Sequence, residues 1–181
     1  MIKFRDLTAN EIDVRIGQIK QNGIALLLYK DARCDMTILD ETVGAENWER
    51  EHYECKGNLF CKVGINTEFE NETNLPNWVY KSDCGTESNT EKEKGEASDS
   101  FKRACVNWGI GRELYTAPFI WINAEGCQIR DAGKDRNGRT IYKCSDKFVV
   151  EKVVIESKRI TAIAIRNATL NKRVFVWQES K

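Results

Sequence analysis

The sequence predicts an α+β fold, and three features of its pattern support that class. Residues 89–115 are expected to form one amphipathic helix that ends in a Gly-rich turn, whereas apolar residues elsewhere mostly alternate with polar ones along short runs. Turn segments such as Lys56-Gly57-Asn58 separate those runs. With 181 residues, 31% of them charged, the chain is long enough to bury a substantial core in one domain with a small appendage.

The first predicted element is a helix that begins near Ala9. Thr8 and Glu11 have the spacing of a capping box, which starts helices by satisfying free backbone N–H groups. Asn22-Gly23 would end this helix. Its inward face would consist of three isoleucines: Ile12, Ile16 and Ile19.

A second helix is predicted from Asp31 to Val43, with Gly44 as its stop. Strands are predicted on both sides of the long helix, at residues 48–55, 58–68, 78–84, 146–155, 160–166 and 173–178. A Gly-rich polar loop is expected at residues 124–140. The expected order is therefore two helices, a β-β-β-α core and a C-terminal antiparallel β region. The predicted division lies between residues 1–118 and a basic, β-rich region, 119–181, packed on that core.

The long helix carries two adjacent cations, Lys102 and Arg103, beside its apolar stripe. Paired cations on a rigid element suit a repeating phosphate backbone better than a single small anion. The alternative interpretation is an ordinary solvated helix face. The stripe beside which they lie consists of Ala97, Phe101, Ala104, Cys105 and Trp108.

Two segments resemble motifs of a known family. Residues 91–109, EKEKGEASDSFKRACVNWG, are similar to the helix containing Lys-Arg-Ala of the single-strand annealing proteins of the Rad fifty-two and phage Sak type. Residues 29–51, YKDARCDMTILDETVGAENWERE, resemble the segment that leads into the first strand of that family's core. The resemblance covers roughly residues 7–116 and identifies the first predicted division as an annealing core.

The resemblance implies ATP-independent binding of single-stranded DNA and annealing of complementary strands in homologous recombination, without bond chemistry. The absence of a GxxxxGK[ST] phosphate-binding loop from the sequence agrees with that expectation. The family implies a homo-oligomeric ring, no cofactor, no catalytic or metal-binding residue, and a phage or host exonuclease or single-strand-binding protein as partner. The DNA-binding residues carried over from the family are Lys102, Arg103, Lys94, Arg33, Tyr29 and Lys30.

The chain departs from the family at two places in the expected groove. Val106 stands where the family often has another arginine, and Glu46 introduces a negative charge. Residues 119–181 contain 13 Lys and Arg against 7 Asp and Glu, a net charge of +6 in a chain with no overall charge. Either the groove is weaker than in the family, or part of its positive charge comes from that third of the chain. The candidate second DNA-binding set there is Arg130, Lys134, Arg136, Arg139 and Lys143.

The composition favours a cytosolic protein, and the resemblance to phage annealing proteins implies the cytoplasm of a bacterial host cell. The seven cysteines are odd in number and form no CxxC pair, which favours reduced thiols over disulfides or zinc. No apolar run approaches the about 20 residues of a membrane-spanning helix, and no signal-peptide pattern opens the sequence. We therefore expect no membrane partner.

Two alternative functions stay open at this stage. VVIESK, residues 153–158, places Glu and Lys at the end of an apolar run with Asp146 upstream, a pattern compatible with a divalent-metal-dependent nuclease. In the other alternative the protein is a non-enzymatic assembly module, in which Lys102 and Arg103 make salt bridges between subunits.

Overall fold

The computed structural model describes residues 2–67, 76–86 and 92–180, with backbone only for residues 92–94. Its helices are α1 (Ala32–Val43) and α2 (Lys92–Trp108). Its strands are β1 (Asp13–Lys20), β2 (Gly23–Tyr29), β3 (Trp48–Cys55), β4 (Asn58–Asn66), β5 (Trp78–Cys84), β6 (Ile120–Asn123), β7 (Ile129–Lys134), β8 (Thr140–Cys144), β9 (Phe148–Glu156), β10 (Arg159–Asn167) and β11 (Lys172–Gln178). All their pairings are antiparallel. The predicted α+β class is confirmed.

The chain forms two compact units that are interleaved in sequence. The first comprises Met1–Asp6 and Asp31–Arg112, and the second comprises Leu7–Lys30 and Glu113–Lys181. The predicted division at residue 118 cuts the chain once, whereas here residues 7–30 group with the C-terminal part. The reason is strand pairing, because β1 lies beside β9 and β2 lies beside β6 in one sheet.

In the first unit, β3, β4 and β5 form a three-stranded sheet with β4 in the middle. Alternation along β4 turns Cys61, Val63 and Ile65 to one face, and all three are completely buried. Helix α2 packs on β4 and β5, and α1 contacts both α2 and β3. The N-cap of α1 is Asp31, and Gly44 ends the helix with φ of +85°, as the sequence predicts.

In the second unit, six strands form a sheet in the order β11-β10-β9-β1-β2-β6. Strands β7 and β8 pair only with each other, as a separate two-stranded ribbon. The core of this unit is built from aliphatic side chains of the sheet, among them Ile24, Leu26, Ile122, Ile160 and Ile165.

The first predicted helix is wrong. The capping box is present at Thr8 and Glu11 but starts only a single 3-10 turn, Ala9–Glu11, which β1 follows. Residues 13–20 also fit a strand, since Val14 and Ile16 alternate with Asp13 and Arg15, and β-branched residues favour strands. The residues before Gly23 close a hairpin in which Lys20 pairs with Gly23, so the Asn-Gly pair marks a strand turn and not a helix end.

The polar loop expected at residues 124–140 is also wrong, because it contains β7 and the start of β8. The strands around it form close to their predicted positions, and β3 and β5 have the predicted bounds. Two predicted boundaries lie outside the described residues. They are the end of the strand predicted at residues 58–68 and the start of the long helix at residues 89–91. That helix ends at Trp108, directly before the Gly-rich turn in which the sequence predicts its end.

Candidate nucleic-acid interface

Helix α2 is fixed on its sheet by the predicted apolar stripe. Phe101, Ala104 and Cys105 are completely buried. The Trp108 indole N–H donates to the Val63 carbonyl at 3.1 Å, which anchors the last turn. Burial along one face defines how the helix is rotated, and this rotation decides where its two neighbouring cations project.

Arg103 projects toward β5. Its Nε lies 3.3 Å from Oδ1 of Asp83, and 43% of the arginine side chain is exposed. An exposed pair of this kind contributes about 0–1 kcal/mol to stability, because water and salt screen it. The Asp83 contact itself is therefore weak, and phosphate can replace that carboxylate at little cost.

Lys102 and Arg33 approach the same carboxylate, that of Asp31. The Arg33 Nη2 lies 2.9 Å from Asp31 Oδ2, and the Arg33 backbone N–H donates to Oδ1 at 2.7 Å. The side-chain hydrogen bond from Arg33 lowers the pKa of Asp31 most. The Arg33 backbone N–H and the charge of Lys102 lower it further. The structure thus brings together two of the predicted cations, and 85% of the Arg33 side chain is exposed.

Tyr29 and Lys30 belong to the second unit, whereas Arg33, Lys102 and Arg103 belong to the first. Lys30 is buried, with 4% of the residue exposed, so its ammonium is not a surface group. Tyr29 is partly exposed, and the guanidinium of Arg15 lies 5.9 Å from its ring centroid.

Lys94 lies in α2, but its side chain is outside the described part of the structure. The predicted second set of cations lies on the ribbon formed by β7 and β8, or on the turn between them. All five of those residues are exposed.

Two cations that the sequence analysis missed flank α2. Arg50 on β3 and Lys81 on β5 both stand opposite Val63 of β4, so the three residues form one row across the sheet face that α2 covers. The Arg50 guanidinium lies 4.8 Å from the centroid of the Phe101 ring, and the Lys81 ammonium lies 4.5 Å from that of Trp108. Strand alternation was the available signal, but only the register shows that the two cations share a row.

The opposite face of the same sheet is aromatic. Tyr53 stacks on Phe60 with centroids 5.5 Å apart, and Trp78 stacks on Tyr80 at 6.4 Å. The Lys62 ammonium lies 4.9 Å from the centroid of the Tyr80 ring. The face also carries carboxylates, since Glu49 accepts from the Tyr80 hydroxyl and Glu51 pairs with Lys62. A phosphate backbone therefore meets two negative charges on this face, beside the single cation Lys62.

Two residues that suggested a nuclease, Asp146 and Lys158, contact protein groups of the second unit. Asp146 is buried, and its Oδ2 accepts from the Gln128 backbone N–H at 2.8 Å and from the Asn167 amide at 2.7 Å. Lys158 lies in a tight turn with φ of +63°, and its ammonium is 3.9 Å from the buried carboxylate of Glu113. Glu156 is the last residue of β9, just before that turn.

Among the described residues, no group of three or more His, Cys, Asp or Glu side chains is arranged to hold a metal ion. Within that same part of the chain, every helix is too short or too polar to cross a membrane. Comparisons of the chain with models of protein families, with curated proteins and with solved structures find no match.

Proposed function

We propose that this protein binds single-stranded DNA along α2 and anneals complementary strands without ATP, as a phage-type recombination protein acting in a bacterial cytoplasm. The observation that carries the proposal is the grouping of three cations: Lys102 and Arg103 lie on α2, which is packed on a sheet, and Arg33 shares the carboxylate of Asp31 with Lys102. The resemblance of residues 91–109 to the family's Lys-Arg-Ala helix supports the same assignment.

The local electrostatics support an exchange of carboxylate for phosphate. Asp31 and Asp83 pair with Arg33 and Arg103 while 85% and 43% of the two arginine side chains are exposed. Guanidinium groups bind phosphates through paired hydrogen bonds, and neutralised phosphates release counterions. DNA held by its backbone in this way keeps its bases free to meet a complementary strand, which is what annealing requires.

The proposal includes a homo-oligomeric ring, as in the family that the sequence resembles. One copy of the protein offers contacts for only a few phosphates, so annealing over many bases needs several copies arranged along the strand. Light scattering of the purified protein, with and without single-stranded DNA, measures the oligomer directly. A protein that stays monomeric in both conditions would remove the ring from the proposal.

The first test measures annealing of two complementary labelled oligonucleotides without ATP, at about 50 and about 200 mM salt. We expect the protein to accelerate annealing, higher salt to weaken the effect, and Lys102→Ala with Arg103→Ala to lower the rate at least about tenfold. The control is Lys3→Ala with Lys62→Ala, which removes the same charge from exposed or half-exposed positions away from α2.

Two results contradict the proposal. One is wild-type protein that gives no acceleration at any salt concentration; the other is equal annealing by the two double variants while both remain folded. Adding Mg²⁺ to the same reactions tests the nuclease alternative, which requires shortened oligonucleotides. An oligomer that fails to bind DNA, and that the α2 double variant dissociates, would favour the assembly module instead.

A further inference from the structure

The ribbon of β7 and β8 projects from the second unit as an ordered, basic arm. Arg130 stands directly opposite Lys143, and the strands continue to the pair of Lys134 and Thr140. Every residue from 130 to 141 is exposed. The two strands pair with no other strand among the residues that the structure describes. An exposed two-stranded ribbon of this kind needs internal order if it is to present side chains in fixed positions.

The tip of the ribbon has that order. The Asp135 backbone N–H donates to the Arg139 carbonyl at 2.8 Å, and the Gly138 N–H donates to the Asp135 carbonyl at 3.0 Å. The Asp135 carboxylate accepts from the backbone N–H groups of Asn137 and Arg139, both at 2.8 Å. Gly138 has φ of +76°, a conformation that glycine adopts without strain. Arg136 and Arg139 therefore stand on a closed turn.

Buried hydrogen bonds hold the base of the ribbon to the rest of the second unit. Asn167 is completely buried, and its amide donates both to the Asp146 carboxylate at 2.7 Å and to the Gly126 carbonyl at 3.1 Å. The same carboxylate accepts from the Gln128 N–H just before β7. Gln128 directly precedes β7, and Asp146 follows β8. The buried hydrogen bond between Asp146 and Asn167 of β10 therefore holds both strands of the ribbon.

The charge of the ribbon is strongly positive. Residues 129–144 contain five Lys and Arg against two aspartates, a net charge of +3. Both aspartates already accept backbone hydrogen bonds, Asp131 from Gly133 and Asp135 from the turn. Within the described part of the chain, the structure pairs none of the five cations with a carboxylate. The arm thus carries a net positive charge on cations that are free of carboxylate partners among the described residues.

The shape of the arm fits a duplex better than a single strand. Single-strand binders combine cations with exposed aromatic rings that stack on bases, but the only aromatic residue from 129 to 144 is the half-buried Tyr142. Two strands about 4.8 Å apart make a ribbon narrow enough for the major groove of B-form DNA, which is about 12 Å wide. From these observations we infer that the ribbon is an arm that binds double-stranded DNA through its phosphates, with its tip entering the groove.

The inference stands apart from the annealing site, because it depends on residues of the second unit only. Its test is fluorescence anisotropy with a labelled 20-base-pair duplex and the matching single strand over a range of salt, a length chosen at about two helical turns. The ribbon variant is Lys134→Gln, Arg136→Gln and Arg139→Gln. The control, Lys20→Gln, Lys152→Gln and Lys172→Gln, removes the same charge from exposed positions elsewhere in the unit.

We expect the ribbon variant to lose at least about tenfold in duplex affinity and to reduce the slope of log K against log salt by about 2 to 3. The control should stay within about twofold of wild type. The inference is overturned by wild-type protein that binds no duplex, by equal losses in the ribbon variant and the control, or by a loss for single strands as large as that for duplex. Unchanged thermal unfolding confirms that the variants are folded.

Discussion

At the scale of single residues, the carboxylates beside the candidate DNA-binding cations set the local field. Asp83 pairs with Arg103, and Asp31 pairs with Arg33. The charge of Lys102 also lowers the pKa of Asp31. Under the proposed function these aspartates compete with phosphate, so their removal has the opposite effect to removal of the cations. Two predictions follow from these two positions.

Asp83→Asn should strengthen binding of single-stranded DNA. The amide keeps the size of the side chain but removes the charge that opposes phosphate at Arg103, so we expect affinity to rise roughly two- to tenfold at low salt. Anisotropy with a labelled single strand measures it. Asp13→Asn, an exposed position in the other unit, makes the same change in net charge and should have little effect. Weaker binding by Asp83→Asn would contradict the assignment of Arg103.

Asp31→Ala should destabilise the protein by about 1 kcal/mol at pH 7, because the N-cap of α1 is lost. The pKa of Asp31 is lowered in the folded state, so its contribution is present above its unfolded pKa and is lost as the pH falls through the folded value. Urea unfolding at pH 7 and near pH 3 should therefore show a gap between wild type and variant that narrows in acid. Asp31→Asn keeps a capping group and should be milder at pH 7. A gap that is constant with pH would exclude the ionised carboxylate as the cause.

At the scale of elements, the packing of α2 depends on Gly85, whose backbone lies very close to the backbone of the helix. A Cβ atom built on Gly85 would lie 2.2 Å from the carbonyl oxygen of Glu96 and 3.0 Å from the backbone nitrogen of Ser100. Backbone atoms in a packed helix have little freedom to move away from such a clash. Only glycine therefore lets the end of β5 pass directly under α2.

Gly85→Ala should displace α2 and destabilise the first unit by about 2–4 kcal/mol, the range typical of an overpacked site with strain. Chemical unfolding followed by tryptophan fluorescence measures the loss. Gly57→Ala is the matched control: it has open space around it but a φ of +75°, so it should cost only about 1 kcal/mol. A loss at Gly85 no larger than that at Gly57 would contradict this close packing.

Elements also show why prediction from sequence succeeded in one place and failed in another. The spacing from Ala97 to Trp108 and the Asp31 cap have one physical solution, so α1 and α2 formed near their predicted positions. Residues 12–20 satisfy both helical and alternating spacing, and strand pairing decides between them: β1 pairs with β2 along its length and with β9 at Asp13. The row of Arg50 and Lys81 was missed for a related reason, since strand register depends on pairing across the sheet.

At the scale of the whole molecule, each compact unit contains a buried thiol. Burial raises the pKa of Cys61 in the first unit, and of Cys127 in the second, to about 11 in each case. Because the thiolate is the reactive form, neither cysteine should react in the folded protein at neutral pH. Cys55 is exposed and should react first.

Alkylation of these thiols should therefore report the opening of each unit separately. Ile65→Ala, in the core of the first unit, should accelerate modification of Cys61 about tenfold or more and leave Cys127 close to its wild-type rate. Ile165→Ala should do the reverse in the second unit. Mass spectrometry of peptides after timed alkylation measures both rates. Equal acceleration of both thiols by either substitution would mean that the two units open as one.

The pairing of β1 with β9 also has a consequence for synthesis of the chain. β1 and β2 leave the ribosome before the other strands of their sheet, and their neighbours β6 and β9 are made only from residue 120 and residue 148 onward. At roughly 5 to 20 residues per second, the first hairpin waits for several seconds with both edges unpaired. The strands that are made earliest are thus completed among the last, and during that interval they are open to pairing with a neighbouring nascent chain.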